Sequence, residues 1–488
     1  MTIKDLQPKA VWENFYGLTR VPRPSKHEGK VQEYLLQWGK DNGIDVKRDK
    51  TGNIIFTAPA TPGMENRKGV IMQAHMDMDM VPQKSADTVH DFLTDPIETR
   101  VLGEWVGANG TTLGADNGIG IALALSVLQD KTLRHGPLEV LVTYDEETGM
   151  SGAIALEPGV LKGDILLNLD SEDEGELCTG CAGGLNGLAD FSYRTYAAPE
   201  GYVGYRINVK GLKGGHSGMD ISLYRGNANK IICRILLALI SEYDVKVASI
   251  TGGSLRNAIP FEAEAEILVP SADASKVRKL VEAKFAESKF EYRYSDPDAT
   301  MSCVKLPAPA PRYISPKVIS NAVKAILACP HGVERMSDTL PGLTETSTNM
   351  AMVRTEKGHL TVTSLTRSSI DSAKMALSDS IRSVFELAGA KYTTSGGYSG
   401  WTPVLGTPMI QILQDTYKRL FGKDLRITAT HGGLECAIMG AKYPNWEMVS
   451  IGPTIVHPHS PDERVKIDTV EMVWNFLTAV LENIPVKE

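Results

Sequence analysis

The sequence predicts an α/β fold, in which a split domain with a mostly parallel sheet and helices on both faces receives an inserted α+β domain. In the first third of the chain, short apolar runs alternate with helical patterns, which is typical of parallel strands covered on both faces. From about residue 183 the strand-like runs alternate apolar and polar residues, as antiparallel strands with one solvated face do. After the glycine-rich stretch "TTSGGYSGW" the first pattern returns.

The first α/β part contains two predicted helices, "VQEYLLQWGKDNGI" and "NGIGIALALSVLQD", of which the second begins after Asp116. The first helix is supported by the helical periodicity of its apolar residues. The second helix is supported by its length and apolar content. Nearly continuous apolar runs predict four strands, "GNIIFTAP" and "KGVIMQAH" between these helices and "GPLEVLVTYDEE" and "GDILLNLDSE" after the second.

The inserted part contains two α+β patterns of similar size. Its predicted helices cover residues 228–242, 274–290, 316–328 and 372–387, and its predicted strands include "GYRINVKG", "FEAEAEILVP", "MSCVKLP" and "GHLTVTSLTR". The chain then returns to a helix, "PMIQILQDTYKRLFG", a strand, "EMVSIGP", and a last helix, "DTVEMVWNFLTAVLENI". We therefore predict one domain from residues 1–187 and 401–488 and an inserted domain from residues 188–400.

Charge and composition exclude several classes of partner. Lys and Arg number 51 and Asp and Glu number 59, which gives a formal charge of −8, so neither nucleic acid nor an anionic membrane is expected. The first residues lack the apolar core of a signal peptide. The longest apolar run, residues 231–240, is too short to span a membrane and contains Arg234. We expect a cytoplasmic protein with reduced cysteines, in which Cys178 and Cys181 serve packing.

Acids and histidines follow the apolar strands. These residues are His75, Asp77 and Asp79 after the first run, Asp116 in "TLGADNGIG", Asp145, Glu146 and Glu147 in "DEETG", Asp170 in "NLDSE", and His457 and His459 near the C-terminus. In open α/β sheets, ligands bind at the carboxyl ends of the strands. Histidines together with carboxylates suit Zn²⁺ and similar divalent metals.

Each motif alone also has a simpler interpretation. A single His-x-Asp is usually a loop histidine near a surface acid, and "DNG" is usually a turn. The segment "HSPDE" is usually a helix start, in which Ser460 and Glu463 form a capping box. The shared position of the motifs after buried strands favours one joint site.

The motifs together resemble the M20 family of metallopeptidases. The stretches that carry the resemblance, in order, are "AHMD", "TTLGADNGIG", "DEETGM", "LLNLDSEDEGE", "GLKGGHSGMD" and "SIGP" followed by "HSPDE". They extend over nearly the whole chain. The resemblance implies a split catalytic domain, an inserted lid domain and two divalent metal ions per chain, with Zn²⁺ favoured and Mn²⁺ or Co²⁺ as alternatives.

The resemblance also implies individual roles. One metal would be held by His75, Asp116 and Asp170, and the other by Asp116, Glu147 and His459, with Asp116 as the bridge. Glu146 would be the general base that takes a proton from a water shared by the two ions. Asp77 would orient His75 through its other ring nitrogen.

Two of these assignments have rivals in the sequence. Asp79 competes with Asp77 for the contact with His75, and we favour Asp77 because its two-residue spacing matches the family pattern. His457 competes with His459 as a ligand, and we favour His459 because it directly precedes "SPDE".

The inserted domain would contribute to substrate binding. The resemblance implies that His216 stabilises the oxyanion of the transition state. Asn257 and Arg367 would bind the terminal carboxylate of the substrate, because a guanidinium matches a carboxylate bidentately. A structural ion pair is the alternative for Arg367. In "THGGLECAIMG", Gly433 would allow close backbone approach and Glu435 would meet the amino group, although Glu435 could equally be a first-turn acid of a helix.

The function that the resemblance implies is that of a dipeptidase that hydrolyses unblocked dipeptides, including Xaa-His substrates such as carnosine, with a homodimer as a possible assembly. The rivals are an N-acyl-amino-acid deacylase or tripeptidase on the same scaffold, and a metal-binding protein without catalysis. The presence of Glu146 argues against the last, because a pure binding protein needs no base.

Overall fold

Residues 2–79 and 82–487 are described by the structure, which is a computed structural model. The chain divides into two compact units. Unit 1 comprises Met1–Gly180, Pro403–Ala429 and Leu434–Glu488, and unit 2 comprises Cys181–Thr402 and Thr430–Gly433. Unit 1 is thus formed from both ends of the chain, and the predicted insertion of residues 188–400 lies within unit 2.

The first segment of unit 1 contains five α-helices and eight strands in the described residues. The helices are α1 Lys9–Thr19, α2 Gly29–Asp41, α3 Ala115–Gln129, α4 Glu146–Gly149 and α5 Ser151–Ala155. The strands are β1 Asp45–Arg48, β2 Ile54–Ala58, β3 Val70–His75, β4 Thr99–Leu102, β5 Trp105–Ala108, β6 Leu138–Thr143, β7 Ile165–Asn168 and β8 Glu176–Cys181.

Unit 2 follows with a larger, antiparallel arrangement. Its strands are β9 Gly183–Ser192, β10 Thr195–Ala197, β11 Tyr202–Lys210, β12 Lys246–Gly252, β13 Ala263–Pro270, β14 Thr300–Lys305, β15 Arg312–Ile314, β16 Gly332–Met336, β17 Thr344–Glu356, β18 His359–Ser368 and β19 Lys391–Tyr398. Its helices are α6 Ala228–Glu242, α7 Ala274–Glu291, α8 Pro316–Ala328 and α9 Asp371–Leu387.

The chain then returns to unit 1. The helices of this last segment are α10 Pro408–Phe421, α11 Glu435–Lys442 and α12 Ile467–Glu482, and its strands are β20 Arg426–Thr430, β21 Glu447–Ser450, β22 Ile455–Val456 and β23 Arg464–Lys466. None of the helices in the described residues is long and apolar enough to cross a membrane.

An eight-stranded sheet organises unit 1, in the order β1-β2-β6-β3-β7-β21-β8-β20. Its centre is parallel, since β3 pairs in parallel with β6 and β7, and β21 with β7. All six residues of β3 are buried, and successive side chains of a strand point to opposite faces, so both faces of the sheet are covered. The predicted α/β class is confirmed, with the addition that β1 and β2 join the parallel centre in antiparallel pairs.

Unit 2 is organised by one sheet of nine strands. Eight follow the order β14-β11-β13-β12-β17-β18-β9-β19, and β16 also pairs with β17. The two predicted α+β patterns therefore share a single sheet, joined where β12 pairs with β17 at Gly252 and Val353. The apolar faces of α6, α7, α8 and α9 pack with this sheet in a core that is separate from the core of unit 1.

Candidate metal centre

The predicted ligands of unit 1 follow strands that end at one edge of its sheet. His75 is the last residue of β3 and lies opposite Thr143, the last residue of β6. Gln73 of β3 is level with Asn168 at the end of β7, which in turn is level with Ser450 at the end of β21. Side chains that follow these parallel strands therefore meet, as expected for a ligand site in this fold class.

His75 lies between two carboxylates. Its Nε2 atom is 3.0 Å from Asp116 Oδ1 and 3.3 Å from Asp170 Oδ1, and its side chain is 2% exposed. Asp170 Oδ1 also accepts a short hydrogen bond from the amide of Asn117. Asp116 and Asn117 have non-helical backbone angles at the start of α3, so the regular helix begins after them and the Asp116 carboxylate projects from a turn.

The second oxygen of Asp116 meets a second histidine. His459 Nε2 lies 3.2 Å from Asp116 Oδ2 and 2.9 Å from Glu147 Oε1. One carboxylate therefore has one oxygen against His75 and the other against His459, residues that are far apart in the sequence. This is the geometry that a carboxylate bridging two cations requires.

The nitrogen and oxygen atoms of this site suit the coordination of divalent cations better than they suit hydrogen bonding alone. Each imidazole Nε2 atom faces two carboxylate oxygens within 3.3 Å, and a single N–H can point to only one of them. Glu147 Oε1 is buried, and its one ion-pair contact among the described residues is with the same His459 Nε2 atom that Asp116 faces. His75, Asp116 and Glu147 also offer three ligand atoms that lie within 4.8 Å of one another. Imidazole nitrogens and carboxylate oxygens are ligands of Zn²⁺ and similar metals.

The pKa shifts of the site residues show that several carboxylates are crowded together at this site. Hydrogen bonds that His459 donates to the carboxylates of Asp116 and Glu147 raise the pKa of His459 to about 11. Burial raises the pKa of Asp170 and of Glu147, in each case with the Asp116 carboxylate adding to the effect. The Asp116 carboxyl has a lowered pKa in spite of its burial, because both histidines bond to it. Positive charge at the positions between these groups is therefore stabilising.

Asp77 contacts His75 on the side opposite to the carboxylates. Its Oδ1 atom is 3.3 Å from His75 Nδ1, and its carbonyl oxygen is 3.1 Å from the same atom. Oδ1 also accepts the backbone N–H of Glu146 at 3.0 Å, and Oδ2 accepts the backbone N–H of Glu147 at 3.1 Å. Ser25 donates its hydroxyl to Oδ2. Asp77 therefore joins His75 to the backbone of both glutamates.

The two rival residues lie elsewhere. Asp79 is buried with a left-handed backbone conformation, at φ 52°, and its carbonyl oxygen accepts the hydroxyl of Ser25. His457 is exposed, and its carbonyl oxygen accepts the hydroxyl of Ser460. No ion pair joins the ring of His457 to an acid among the residues that the structure describes.

Glu146 and Glu147 occupy the first turn of the short helix α4. The preceding residue, Asp145, has a left-handed conformation at φ 55°, which turns the chain out of β6 before the helix begins. Consecutive side chains of a helix lie about 100° apart, instead of the opposite directions expected from a strand end. Burial raises the pKa of Glu146 well above its usual 4.5, and the carboxylates of Asp170 and Glu435 add to that rise.

Glu435 begins α11 and is fully buried. Its Oε2 atom accepts hydrogen bonds of 2.6 Å from the Gln73 amide and from the Thr143 hydroxyl. Its Oε1 atom has no hydrogen-bond partner among the described residues. Burial raises the pKa of Glu435 to about 8.

In unit 2, His216 has a defined ring orientation. Its Nδ1 atom accepts the backbone N–H groups of Gly218 and Met219, at 3.3 and 3.2 Å, which leaves the proton of the neutral ring on Nε2. Burial and the nearby Arg367 lower the pKa of His216. In its neutral form the ring would therefore donate through Nε2.

Arg367 and Asn257 lie at the same turn, since both bond to Ser217. Arg367 is 5% exposed and donates to the Ser217 hydroxyl at 3.3 Å and to the Tyr398 hydroxyl at 3.4 Å. Within the described ranges no acid forms an ion pair with Arg367. Asn257 is exposed and its carbonyl oxygen accepts the N–H of Ser217 at 2.8 Å. Gly433 is half-buried at the end of the segment that returns to unit 2.

The sequence motifs did not indicate three buried residues that bond next to predicted site residues of their own unit. Arg23 and Glu463 are both buried and bond to the backbone of the turn that carries Asp116. His431 of unit 2 is buried and bonds through Nε2 to the Ser347 hydroxyl at 2.7 Å. Only Glu463 had a sequence signal, as the last letter of "HSPDE", and that signal indicated a helix cap.

Comparisons with known proteins agree with this geometry. The sequence profile of peptidase family M20/M25/M40 matches residues 74–483. The chain is 44% identical to the cytosol non-specific dipeptidase of Escherichia coli (strain K12) over 485 residues, which cover 99% of each protein.

Solved structures are also similar. The crystal structure of an aminoacylhistidine dipeptidase from Vibrio alginolyticus matches with a TM-score of 0.90 and 47% identity, over 100% of this chain and 99% of that chain. An aminopeptidase from Bacillus cereus matches with a TM-score of 0.58 and 15% identity, over 98% of this chain and 99% of that chain. This second likeness concerns the fold alone.

Proposed function

The chain belongs to peptidase family M20/M25/M40, and from this premise we propose that it is a dipeptidase that uses two divalent metal ions. The observation that carries the proposal is Asp116, whose two oxygens lie against two different histidines. The full-length relatives named as dipeptidases support the substrate class.

The proposed ligands are His75, Asp116 and Asp170 for one ion and Asp116, Glu147 and His459 for the other. Zn²⁺ is the proposed metal, because the set combines imidazole nitrogens with carboxylate oxygens, and Mn²⁺ or Co²⁺ are the alternatives. When bound, a pair of such ions lowers the pKa of a shared water and polarises the carbonyl that is attacked.

Glu146 is proposed as the residue that moves protons. It would accept a proton from the attacking water and deliver it to the nitrogen of the leaving amino acid. A pKa raised above that of an ordinary glutamate supports this role, because the group must both take up and release a proton near neutral pH. The bonds that the backbone N–H groups of Glu146 and Glu147 donate to Asp77 support a role for Asp77, which would set the positions of base and ligand together.

The two ends of the substrate are proposed to meet different residues. Arg367 would bind the terminal carboxylate, with Asn257 beside it, because the buried guanidinium has no acidic partner among the described residues. Glu435 would meet the free amino group with its unpartnered Oε1 atom, and Gly433 would leave space for the substrate backbone. His216 would donate from Nε2 to the oxyanion.

We propose unblocked dipeptides, including those with a C-terminal histidine such as carnosine, as substrates, and the cytosol as the location. The E. coli relative is named as a cytosol dipeptidase and the Vibrio relative as an aminoacylhistidine dipeptidase. A homodimer is compatible with this proposal, and neither nucleic acid nor membrane is expected as a partner.

A substrate panel tests the proposal directly. The purified chain, loaded in turn with Zn²⁺, Mn²⁺ and Co²⁺, should hydrolyse free dipeptides and leave N-acetylated dipeptides and tripeptides largely intact. Preferred cleavage of the N-acetylated forms would indicate a deacylase, and preferred cleavage of tripeptides a tripeptidase. Metal binding without turnover of any substrate would indicate a binding protein.

A further inference from the structure

Glu463 gathers four consecutive backbone N–H groups onto one buried carboxylate. Its Oε2 atom accepts the N–H groups of Leu113 and Gly114, both at 2.8 Å. Its Oε1 atom accepts those of Ala115 and Asp116, at 2.8 and 3.2 Å. A carboxylate can accept about four hydrogen bonds. Glu463 is 1% exposed, and all four of its acceptor positions are used by the turn that ends at Asp116.

Arg23 holds the same turn from another direction. The guanidinium of this buried residue donates to the carbonyl oxygen of Gly114 at 2.5 Å, and to the carbonyl oxygens of Met76 and Asp77 at 3.0 Å each. Gly114 is therefore bonded through its N–H to Glu463 and through its carbonyl to Arg23. The other two bonds from Arg23 join the turn to the segment that follows His75.

Glu463 also links the turn to the segment of the second histidine. It lies four residues after His459, and its backbone N–H bonds to the Ser460 carbonyl at 3.1 Å. The Asp116 turn and the His459 segment are far apart in the sequence, yet His459 Nε2 is 3.2 Å from Asp116 Oδ2. Glu463 thus connects the backbone at Asp116 with the backbone segment of His459, and these two residues are proposed ligands of the same ion.

We infer that Glu463 is a positioning residue, which fixes the Asp116 turn relative to His459 so that the two oxygens of Asp116 face the two metal positions. This inference rests on the proposed metal centre. It differs from the capping role that the sequence indicated, because the carboxylate bonds to a turn about 350 positions earlier in the chain. A carboxylate that bridges two ions must be held in a defined position. Loss of a hydrogen bond that supports such a ligand typically weakens metal affinity or activity by about 10–100-fold.

The test compares Glu463→Gln with a matched control, Glu139→Gln. Glutamine keeps the shape of the side chain but turns an N–H₂ group toward backbone N–H groups, so two of the four bonds are lost. Glu139 is also a carboxylate of unit 1 that accepts two backbone N–H groups, from Lys162 and Gly163 at 2.7 and 2.8 Å, but these belong to a loop that carries no proposed ligand.

Three readouts distinguish positioning from general stability. Competition with a chromophoric chelator gives Co²⁺ affinity, the visible absorption of the bound Co²⁺ gives the coordination geometry, and dipeptide hydrolysis gives kcat and KM. For Glu463→Gln we expect Co²⁺ affinity to fall about 10–100-fold, the absorption to change, and kcat to fall more than KM rises. Glu139→Gln should match the wild type in all three.

The outcomes separate this inference from the proposed function. If Glu463→Gln binds Co²⁺ with wild-type affinity and absorption, Glu463 does not position the ligands and the inference is wrong. If both variants lose affinity in proportion to their loss of thermal stability, the effect is general and the inference is again wrong. If the wild type itself binds no Co²⁺ and hydrolyses no dipeptide, the proposed function fails first.

Discussion

At the residue scale, Glu146 and Glu147 are neighbours in sequence with different surroundings. Glu147 Oε1 lies 2.9 Å from His459 Nε2, whereas no ion pair joins the Glu146 side chain to a histidine among the described residues. We expect Glu146→Gln to keep the fold and bound metal and to lower kcat by roughly 10²–10⁴-fold, because amide nitrogen cannot relay a proton. Metal content and kcat measured on the same preparation check this. Near-normal turnover in metal-replete protein would remove Glu146 from the role of base.

Alanine substitutions of the three acids near His75 should reduce metal binding to different extents. Asp116→Ala should abolish binding of both ions, because it removes an oxygen from each. Asp77→Ala should weaken affinity or activity by about 10–100-fold, as changes behind a ligand do. Asp79→Ala should be milder, since the Asp79 carbonyl oxygen that accepts the Ser25 hydroxyl is kept in this variant. Metal analysis of the three purified variants gives the ranking, and damage by Asp79→Ala with a silent Asp77→Ala would reverse the choice between them.

The sequence could indicate the proposed ligands but not their support. His75, Asp116 and Asp170 follow apolar runs, so their position at one sheet edge could be inferred from elementary rules for parallel strands. The side chains of Arg23 and Glu463 bond to backbone carbonyl and N–H groups. Nearly every residue has these groups, so no sequence pattern marks the partners of Arg23 and Glu463. The direction of Glu146 was also beyond the sequence, because the left-handed Asp145 converts a strand end into a helical turn.

At the element scale, the turn into α3 depends on a glycine. Gly114 has φ 74°, and a Cβ atom there would lie 2.6 Å from Met78 Sδ and 2.7 Å from Arg23 Nη2. Gly103 is a matched control, with φ 64° and no atom within 4 Å of the added Cβ. We expect Gly103→Ala to destabilise unit 1 by about 1 kcal/mol through backbone strain, and Gly114→Ala by roughly 1–3 kcal/mol more through overpacking.

Urea unfolding of the two alanine variants measures this difference. The additional loss in Gly114→Ala should be accompanied by weaker metal binding, because the displaced turn carries Asp116. Equal unfolding midpoints for the two variants would show that the turn accommodates a side chain, contrary to the packing described.

Helices were more predictable than strands in this chain. The helices at Ala228–Glu242 and Pro316–Ala328 have the predicted bounds, because Asn227 caps the first and proline begins the second. The strand Thr344–Glu356 was not predicted. Its first eight residues are buried although four of them are Thr or Ser, and hydroxyl residues are mostly exposed in proteins, so its burial depends on pairing with distant strands.

At the scale of the whole molecule, the proposed metal ligands all belong to unit 1. We therefore expect a chelator to lower the melting temperature of unit 1 specifically, since the clustered carboxylates then lose their compensating charge. A ligand present at 100 times its dissociation constant stabilises by about 2.7 kcal/mol. Calorimetry with chelator and with restored Zn²⁺, Mn²⁺ or Co²⁺ checks this, with Asp116→Ala as the control that should not respond. A chelator-induced shift confined to a transition of unit 2 would contradict the assignment.

The last prediction concerns how many chains form one active site. The resemblance to the M20 family implies that, in members with a short lid, the histidine corresponding to His216 comes from the other subunit of a dimer. Here the inserted part is larger, and both of its α+β patterns share one nine-stranded sheet. We predict that the His216 and Glu146 residues that act on one substrate belong to one chain, whether or not the protein dimerises.

Mixing two inactive variants under conditions of subunit exchange tests this prediction. His216→Ala should lower kcat more than it raises KM, because a donor to the oxyanion acts mainly in the transition state, and Glu146→Gln should lack the base. If both residues act within one chain, every chain in a mixed dimer lacks one of them, and no activity returns. If subunits share residues, a mixed dimer contains one site with both, and substantial recovery of activity would show that the prediction is wrong. Native mass spectrometry of the mixture confirms that exchange has taken place, so that an absence of recovery counts as a result.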